Sequence, residues 1–209
     1  MQKLWIVGAG GFSREVAEVV RAINAVAPTW ELAGFADDAP ESEHCRLLAQ
    51  RGYTVCSVDQ LLKSEPGAYA LSISNGAVKQ RLDTLLTAAG WEPATLVHPD
   101  TSIGPTVILG PGSIACAGVR APADITCGRH VHLNLNVTIG HDSTLEDYVS
   151  VHPLTAISGW ARIGTRTMLG TCSTILQNVT VGADVAVGAG ACVVRDIPSG
   201  VTVKGIPAR

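Results

Sequence analysis

From Thr101 to Asp196 the sequence reads TSIGPT VILGPG SIACAG VRAPAD ITCGRH VHLNLN VTIGHD STLEDY VSVHPL TAISGW ARIGTR TMLGTC STILQN VTVGAD VAVGAG ACVVRD, sixteen six-residue blocks with no insertion. The third position of every block is a residue that can be buried, from Ile103 and Leu109 through Ile139 and Ile157 to Val193. A period of six fits neither an amphipathic helix nor an alternating strand, so it predicts a solenoid that turns one corner per block. Two residues before each buried position stands a small or β-branched side chain, such as Val137, Ser143 or Thr155, suited to extended backbone in a narrow interior. Eight blocks place glycine directly after the buried position, as Gly140 and Gly164 do, which suggests a sharp backbone turn there. Three blocks per coil make a triangular prism of short parallel strands about 25 Å long, its coils about 4.8 Å apart.

Before Pro99 the period changes. Lys3–Val7 reads as a strand ending in Gly8-Ala9-Gly10-Gly11, and Phe12–Val26 carries apolar residues at helical spacing. Further strands are expected at 32–36, 53–58, 69–74 and 95–97, with helices near 58–63 and 77–89, a small parallel α/β sheet of Rossmann type. The boundary falls near Val97-His98-Pro99, which divides the chain into residues 1–97 and 98–209.

Composition suits this plan. The 209 residues are 46% hydrophobic but only 4% aromatic, so the core must be aliphatic and small, as a narrow prism requires. A net charge of −3 with no charged block gives no electrostatic reason to expect nucleic acid or an anionic membrane. No apolar run approaches the ~20 residues of a membrane span, and none reads as a signal peptide. The six cysteines show no metal-ligand or redox spacing and read mostly as small buried residues of a reducing cytoplasm.

Two features carry chemistry. A strand, the GAGG loop and a helix put backbone N–H groups at a positive helix end, where a phosphate can bind. Ser13 stands where a dinucleotide fingerprint would need a third glycine, which disfavours NAD. Asp37 and Asp38 follow the second strand, where a base or ribose would be read, and Ser74-Asn75-Gly76 ends another strand on the same expected edge. The alternative is a tight structural turn beside two solvated carboxylates. The second feature is His141, two places after buried Ile139 and so directed outward at a corner. With Asp142 or Glu146 to orient it, an imidazole there is a general base. A coil of eighteen residues stacks Gly159 over His141 and leaves room beside the ring. His130, His132 and His152 suggest a metal, but His132 falls one before a buried position, His141 two after and His152 one after, so they occupy different sectors and no metal is expected unless a site is assembled between subunits.

The segments GAGGFSREV (8–16), FADD (35–38), SISNG (72–76), LVHP (96–99), LNLNVTIGHD (133–142) and VKGIPAR (203–209) together resemble the bacterial hexapeptide-repeat sugar acetyltransferases. That family includes N-acetyltransferases of nucleotide-linked 4-amino-sugars and sialic acid O-acetyltransferases. The resemblance implies a left-handed β-helix, where the general rule for parallel crossovers favours a right-handed path. It also implies a homotrimer, acetyl-coenzyme A in the groove between neighbouring helices, and a nucleotide-linked amino-sugar held by the first domain. His141 then matches the base, with Asp142 its neighbouring acid and Glu146 a second candidate. The donor side falls to Gly159, Ser150, Gly170, Ile175, Lys204, Pro207 and Arg209. The acceptor side falls to Gly8, Gly10, Gly11, Phe12, Ser13, Asp37, Asp38, Asn75 and Asn136. One departure stands out: Ser150 occupies the place where amino-sugar members can carry a second histidine, and His152 follows two residues later. A hydroxyl acceptor and a non-catalytic trimeric scaffold are the competing readings.

Overall fold

The computed structural model describes residues 1–209, in two compact units: Met1–Ile73 with Val78–Pro99, and Ser74–Ala77 with Asp100–Arg209.

In the first unit the strands β1 (Gln2–Val7), β2 (Trp30–Ala36), β3 (Val55–Cys56), β4 (Ala68–Leu71) and β5 (Glu92–Pro93) form one parallel sheet in the order β3-β2-β1-β4-β5. Between them run α1 (Gly11–Val26), α2 (Ser42–Ala49), α3 (Val58–Leu62) and α4 (Gly76–Ala88), and β6 (Leu96–Val97) closes the segment. Helix α1 buries Val16, Val19 and Val20, the stripe its spacing predicts. The core on one side of the sheet gathers Val7, Ala36, Leu61, Tyr69, Leu71, Leu82, Leu86 and Trp91. Lys79 of α4 is buried as well, and desolvation pulls its ammonium well below the usual lysine range.

Helix α2 and strand β5 are not foreseen in the sequence. Helix α2 buries only Leu48, so it carries no apolar stripe, and its exposed face is held by the Glu43–Arg46 pair at i,i+3. Strand β5 is two residues long and contains Pro93, tolerated because it lies at the sheet edge. Strands β3 and β4 are shorter than expected: residues 72–74 leave the sheet and build the loop before α4.

The second unit is the prism. Thr138 pairs with Ala156, Thr144 with Arg162 and Ser150 with Met168, always eighteen residues apart and always parallel. Three faces result. The first stacks the strands at Ser102–Ile103, Arg120–Ala121, Thr138–Ile139, Ala156–Ile157, Thr174–Ile175 and Cys192–Val193. The second runs from Ile108–Leu109 through Thr144–Leu145 to Thr180–Val181, and the third from Ile114–Ala115 through Ser150–Val151 to Thr202–Val203. All the third-position residues are buried except Ile103 and Leu109, which open their faces and have no earlier strand beside them. Among them the Cys127 thiol is pushed up to about 12 by burial. After Val193 the rhythm breaks: Thr202 pairs with Ala186 at a separation of sixteen.

The turns depart from expectation in one respect. Glycines directly after the buried position, such as Gly140 and Gly164, do not have positive φ; a Cβ there would strike the backbone of the next coil. Glycine is needed for stacking, not for the turn. The left-handed residue is three places after the buried position: Asp124, His130, Asn136, Asp142, Tyr148, Leu154, Trp160, Arg166, Cys172, Asn178 and Asp184 have φ between +51 and +62. None is β-branched, as this region requires.

Candidate functional site

His141 stands at the corner between the first and second faces. Gly140 lets the coils close, since its missing Cβ would collide with the Gly159 amide, and its N–H donates to Ile157 O at 2.7 Å. Asp142, with φ +59, turns its carboxylate back onto the preceding ring, and Nδ1 of His141 lies 2.7 Å from Asp142 Oδ2. An ionised carboxylate only accepts, so Nδ1 carries the proton and the lone pair of the neutral ring sits on Nε2. The His141 side chain is 61% exposed. A Cβ on Gly159 would come within 2.9 Å of both Cε1 and Nε2, so the basic edge of the ring rests against a residue of the next coil that has no side chain. No hydrogen bond within the chain uses the Gly159 N–H. An imidazole with a fixed tautomer, an exposed basic nitrogen and an open backbone donor beside it can deprotonate a nucleophile and stabilise an oxyanion.

Glu146 does not join this group. Its Oε2 accepts from Thr165 N at 2.9 Å and from Thr165 Oγ1 at 2.7 Å, fastening successive coils at the next corner. The sequence reading passes over Trp160, which follows Gly159, is 56% exposed, and donates its N–H to His141 O at 2.9 Å. Its signal was the one large apolar side chain in the corner column Asp124, Asp142, Trp160, Asn178.

Several donor-side residues also serve the prism. Ile175 points into the prism and is fully buried, so its side chain cannot meet a ligand. Gly170 is buried with its N–H on Val187 O and its carbonyl accepting from Ser173 N and Thr155 Oγ1. Ser150 lies on the third face, half a coil from His141, and donates to Ser74 O at 2.8 Å. His152 begins the corner after that face and likewise does not reach His141's corner. The tail from Lys204 folds back on itself through two hydrogen bonds between Lys204 and Arg209, with a cis bond before Pro207, and leaves Lys204 and Arg209 exposed. Asn136 sits at the other end of the first face, where it fills the space left by Gly118.

Asn75 lines a cleft of about 290 Å³ in the second unit with Ser74, Gly76, Arg166, Met168 and Asp184. Arg166 forms a two-pronged pair with Asp184, at 2.7 and 2.6 Å, which raises the guanidinium's affinity for its proton and lowers the carboxyl below its ordinary range. A Cβ on Gly76 would be 2.6 Å from Arg166 Cα, so only glycine lets this loop lie on the coil.

In the first unit a cavity of about 220 Å³ opens at the carboxy-terminal ends of β1, β2 and β4, lined by Gly8, Asp37, Asp38, Val58, Ile73 and Arg81 among others. Gly8 is indispensable: its φ is +110 and a Cβ would lie 2.6 Å from Ser72 Oγ. Asp37 is partly committed to building the loop, since its two oxygens accept from Ala9 N at 2.8 Å and Ala39 N at 3.0 Å; Asp38 accepts from Val58 N at 2.8 Å. Gly10 and Gly11 begin α1 with no side-chain cap, and Phe12 is half-buried. Ser13, by contrast, is fully buried and spends its hydroxyl on Gly10 O at 2.6 Å, so its side chain offers no free donor. Arg81, a cation facing the same cavity, was not anticipated. A larger cleft of about 630 Å³ lies at the opposite, amino-terminal edge of the sheet, beside Lys3, Glu31 and Gly67. Ligands of open parallel sheets bind at the carboxyl ends, so the smaller cavity is the better candidate.

No group of three or more His, Cys, Asp or Glu side chains is arranged to hold a metal ion. Cys172 is exposed, against the expectation of mostly buried thiols, while Cys116 and Cys127 are buried. No helix is long and apolar enough to cross a membrane.

The whole chain superimposes on the acetyltransferase domain of PglB from Neisseria gonorrhoeae, solved in complex with acetyl coenzyme A, with a TM-score of 0.88 and 31% identity over 99% of this chain and 98% of that one. The chain belongs to the bacterial hexapeptide-repeat sugar acetyltransferases. A family described as the PglD N-terminal domain matches residues 3–84. PerB from Caulobacter crescentus, solved with CoA and GDP-perosamine, is similar at 29% identity and a TM-score of 0.86, covering 99% of this chain and 96% of that one. GDP-perosamine N-acetyltransferase of Escherichia coli O157:H7 is 28% identical over 98% of this chain and 94% of its own length. Membership of this acetyltransferase family makes the solenoid a left-handed parallel β-helix, so the general crossover rule does not hold here.

Proposed function

We propose that this chain transfers the acetyl group of acetyl-coenzyme A to the amine of a nucleotide-linked deoxy-amino-sugar, with His141 as general base. The observation that carries the reading is the exposed His141 corner, with Nδ1 tied to Asp142 and Nε2 against Gly159 beside an open backbone N–H. The amine nitrogen attacks the thioester carbonyl carbon and gives its proton to Nε2. Asp142 stabilises the resulting imidazolium, and the Gly159 N–H donates to the oxyanion. The C–N bond forms, the C–S bond breaks, and the proton passes to the leaving sulfur, yielding an amide and free coenzyme A.

Whole-length similarity to proteins solved with acetyl coenzyme A, or with CoA and GDP-perosamine, supports both substrates. In the first unit, the cavity at the strand ends is the place for the nucleotide, with the open N–H groups of Gly10 and Gly11 and the Arg81 guanidinium suited to its phosphates. Lys204 and Arg209, exposed on the closed tail, suit the phosphates of coenzyme A. The assembly is a homotrimer in this reading, working in the cytoplasm. The test is a panel of UDP-, GDP- and dTDP-linked amino-sugars incubated with acetyl-coenzyme A and analysed by mass spectrometry. One of them should gain a single acetyl group on nitrogen. Acetylation of none, or on oxygen alone, contradicts the proposal.

A further inference from the structure

Trp160 stands exposed in a backbone conformation that disfavours it. It adopts φ +60, a conformation that costs a residue with a Cβ about 1–2 kcal/mol and that Asp and Asn tolerate best. The other members of its corner column, Asp124, Asp142 and Asn178, are of that tolerant kind. Its indole is 56% exposed, whereas Trp91 is buried and Trp5 and Trp30 are half-buried. No ring of this chain stacks on it. The surroundings give the position a use. Trp160 is one Cα step, about 3.8 Å, from Gly159, whose absent Cβ would touch His141 Nε2, and its own N–H is bonded to the His141 carbonyl. Register fixes it directly above Asp142, since Thr144 pairs with Arg162. Gly159 and Trp160 form one corner of the coil that follows His141. A thioester oxygen resting on the Gly159 N–H would therefore sit against that coil, one residue from the exposed Trp160.

We propose that Trp160 is the wall of the acyl-donor subsite, its indole packing against the thioester end of the donor and limiting the transferred acyl group to about the size of acetyl. This rests on the reading of His141 as the base of an acyl transfer from coenzyme A. An apolar pocket discriminates one added methylene by roughly 10- to 200-fold, and removing an aromatic wall relaxes that.

The test compares acetyl-, propionyl- and butyryl-coenzyme A as donors for the wild type, Trp160→Ala and Trp160→Phe. Oligomeric state is measured alongside, and the tryptophan fluorescence of the folded wild type is titrated with coenzyme A. The preference in kcat/KM for acetyl over butyryl should fall at least tenfold in Trp160→Ala and be partly restored in Trp160→Phe. Coenzyme A should quench the wild-type emission, and Trp160→Phe should abolish that quench. Equal loss with all donors, or a changed oligomeric state with selectivity intact, makes Trp160 a packing residue between copies and overturns the proposal. An active wild type whose fluorescence ignores coenzyme A also overturns it and leaves the function standing. A wild type that acetylates no amino-sugar but shows the Trp160-dependent quench keeps the donor wall and removes the proposed acceptor.

Discussion

Two corners of the same prism have the same backbone and opposite surroundings. At one, Gly112, His130, Tyr148, Arg166 and Asp184 stack along the column: His130 is fully buried, its ring lies parallel to Tyr148 at 6.0 Å, and Arg166 is closed by Asp184. At the other, Asp124, Asp142, Trp160 and Asn178 stack beside an exposed His141 and an open Gly159 amide. Both columns hold left-handed residues every eighteen positions; His130 is a member of the first, and His141 comes one residue before a member of the second. What separates a structural histidine from a candidate base is the cover over it: a ring that is stacked and buried cannot meet a substrate, and one held only by a carboxylate on Nδ1 can.

The contrast breaks first at His141. Replacing it with Ala should lower acetyl transfer roughly 10²- to 10⁴-fold, with little change in melting temperature because the ring is mostly solvent-exposed, as thiol release and calorimetry would report. Gly159→Ala comes next. Its backbone is not in the left-handed region, so the fold should persist, but the new Cβ presses on Cε1 and Nε2 at 2.9 Å and should cost about tenfold or more in kcat. The matching change in the buried column, Gly112→Ala, should do the reverse. Gly112 has φ +76 and its Cβ would run into the His130 ring, so stability should drop by about 1–3 kcal/mol in denaturant unfolding while transfer by the folded fraction survives.

Asp184→Asn should have the smallest effect. Asp184's carboxyl is lowered by Arg166, so the folded state binds its proton less readily than the unfolded chain. Its contribution is therefore present above the ordinary carboxylate pKa and lost as pH falls through the lowered one. The pair is partly exposed, which limits the loss at neutral pH to less than about 1 kcal/mol. The acid limb of a stability-versus-pH curve should flatten slightly in the variant; a large loss at neutral pH would mean that the buried column depends on this ion pair.

Much of the prism was legible because a solenoid repeats its instructions: one interior position per block is enough to fix period, faces and register. The role of glycine was not, since the residue after each buried position looks like a turn and proves to be a contact between coils. Ile175 holds the inward position of its block, which leaves only its backbone for a cofactor, and the hydroxyl of Ser13, expected on the acceptor side, is consumed by the loop. Glu146 lies near His141 in sequence, but coils join residues about eighteen apart, and its true partner is Thr165. Trp160 has no titratable group, and the six-residue rhythm alone does not mark it as different from the other corner residues. In the first unit, helix α2 has no apolar stripe to announce it.

The most direct measurement is a structure of the protein bound to coenzyme A and a nucleotide-linked amino-sugar. The sugar nitrogen should lie within hydrogen-bond reach of His141 Nε2, about 2.6–3.2 Å, with the coenzyme sulfur beside Gly159 and the indole of Trp160 against it. Ligands seated instead in the Arg166 cleft, or a nitrogen remote from that imidazole, would contradict the assignment of the base.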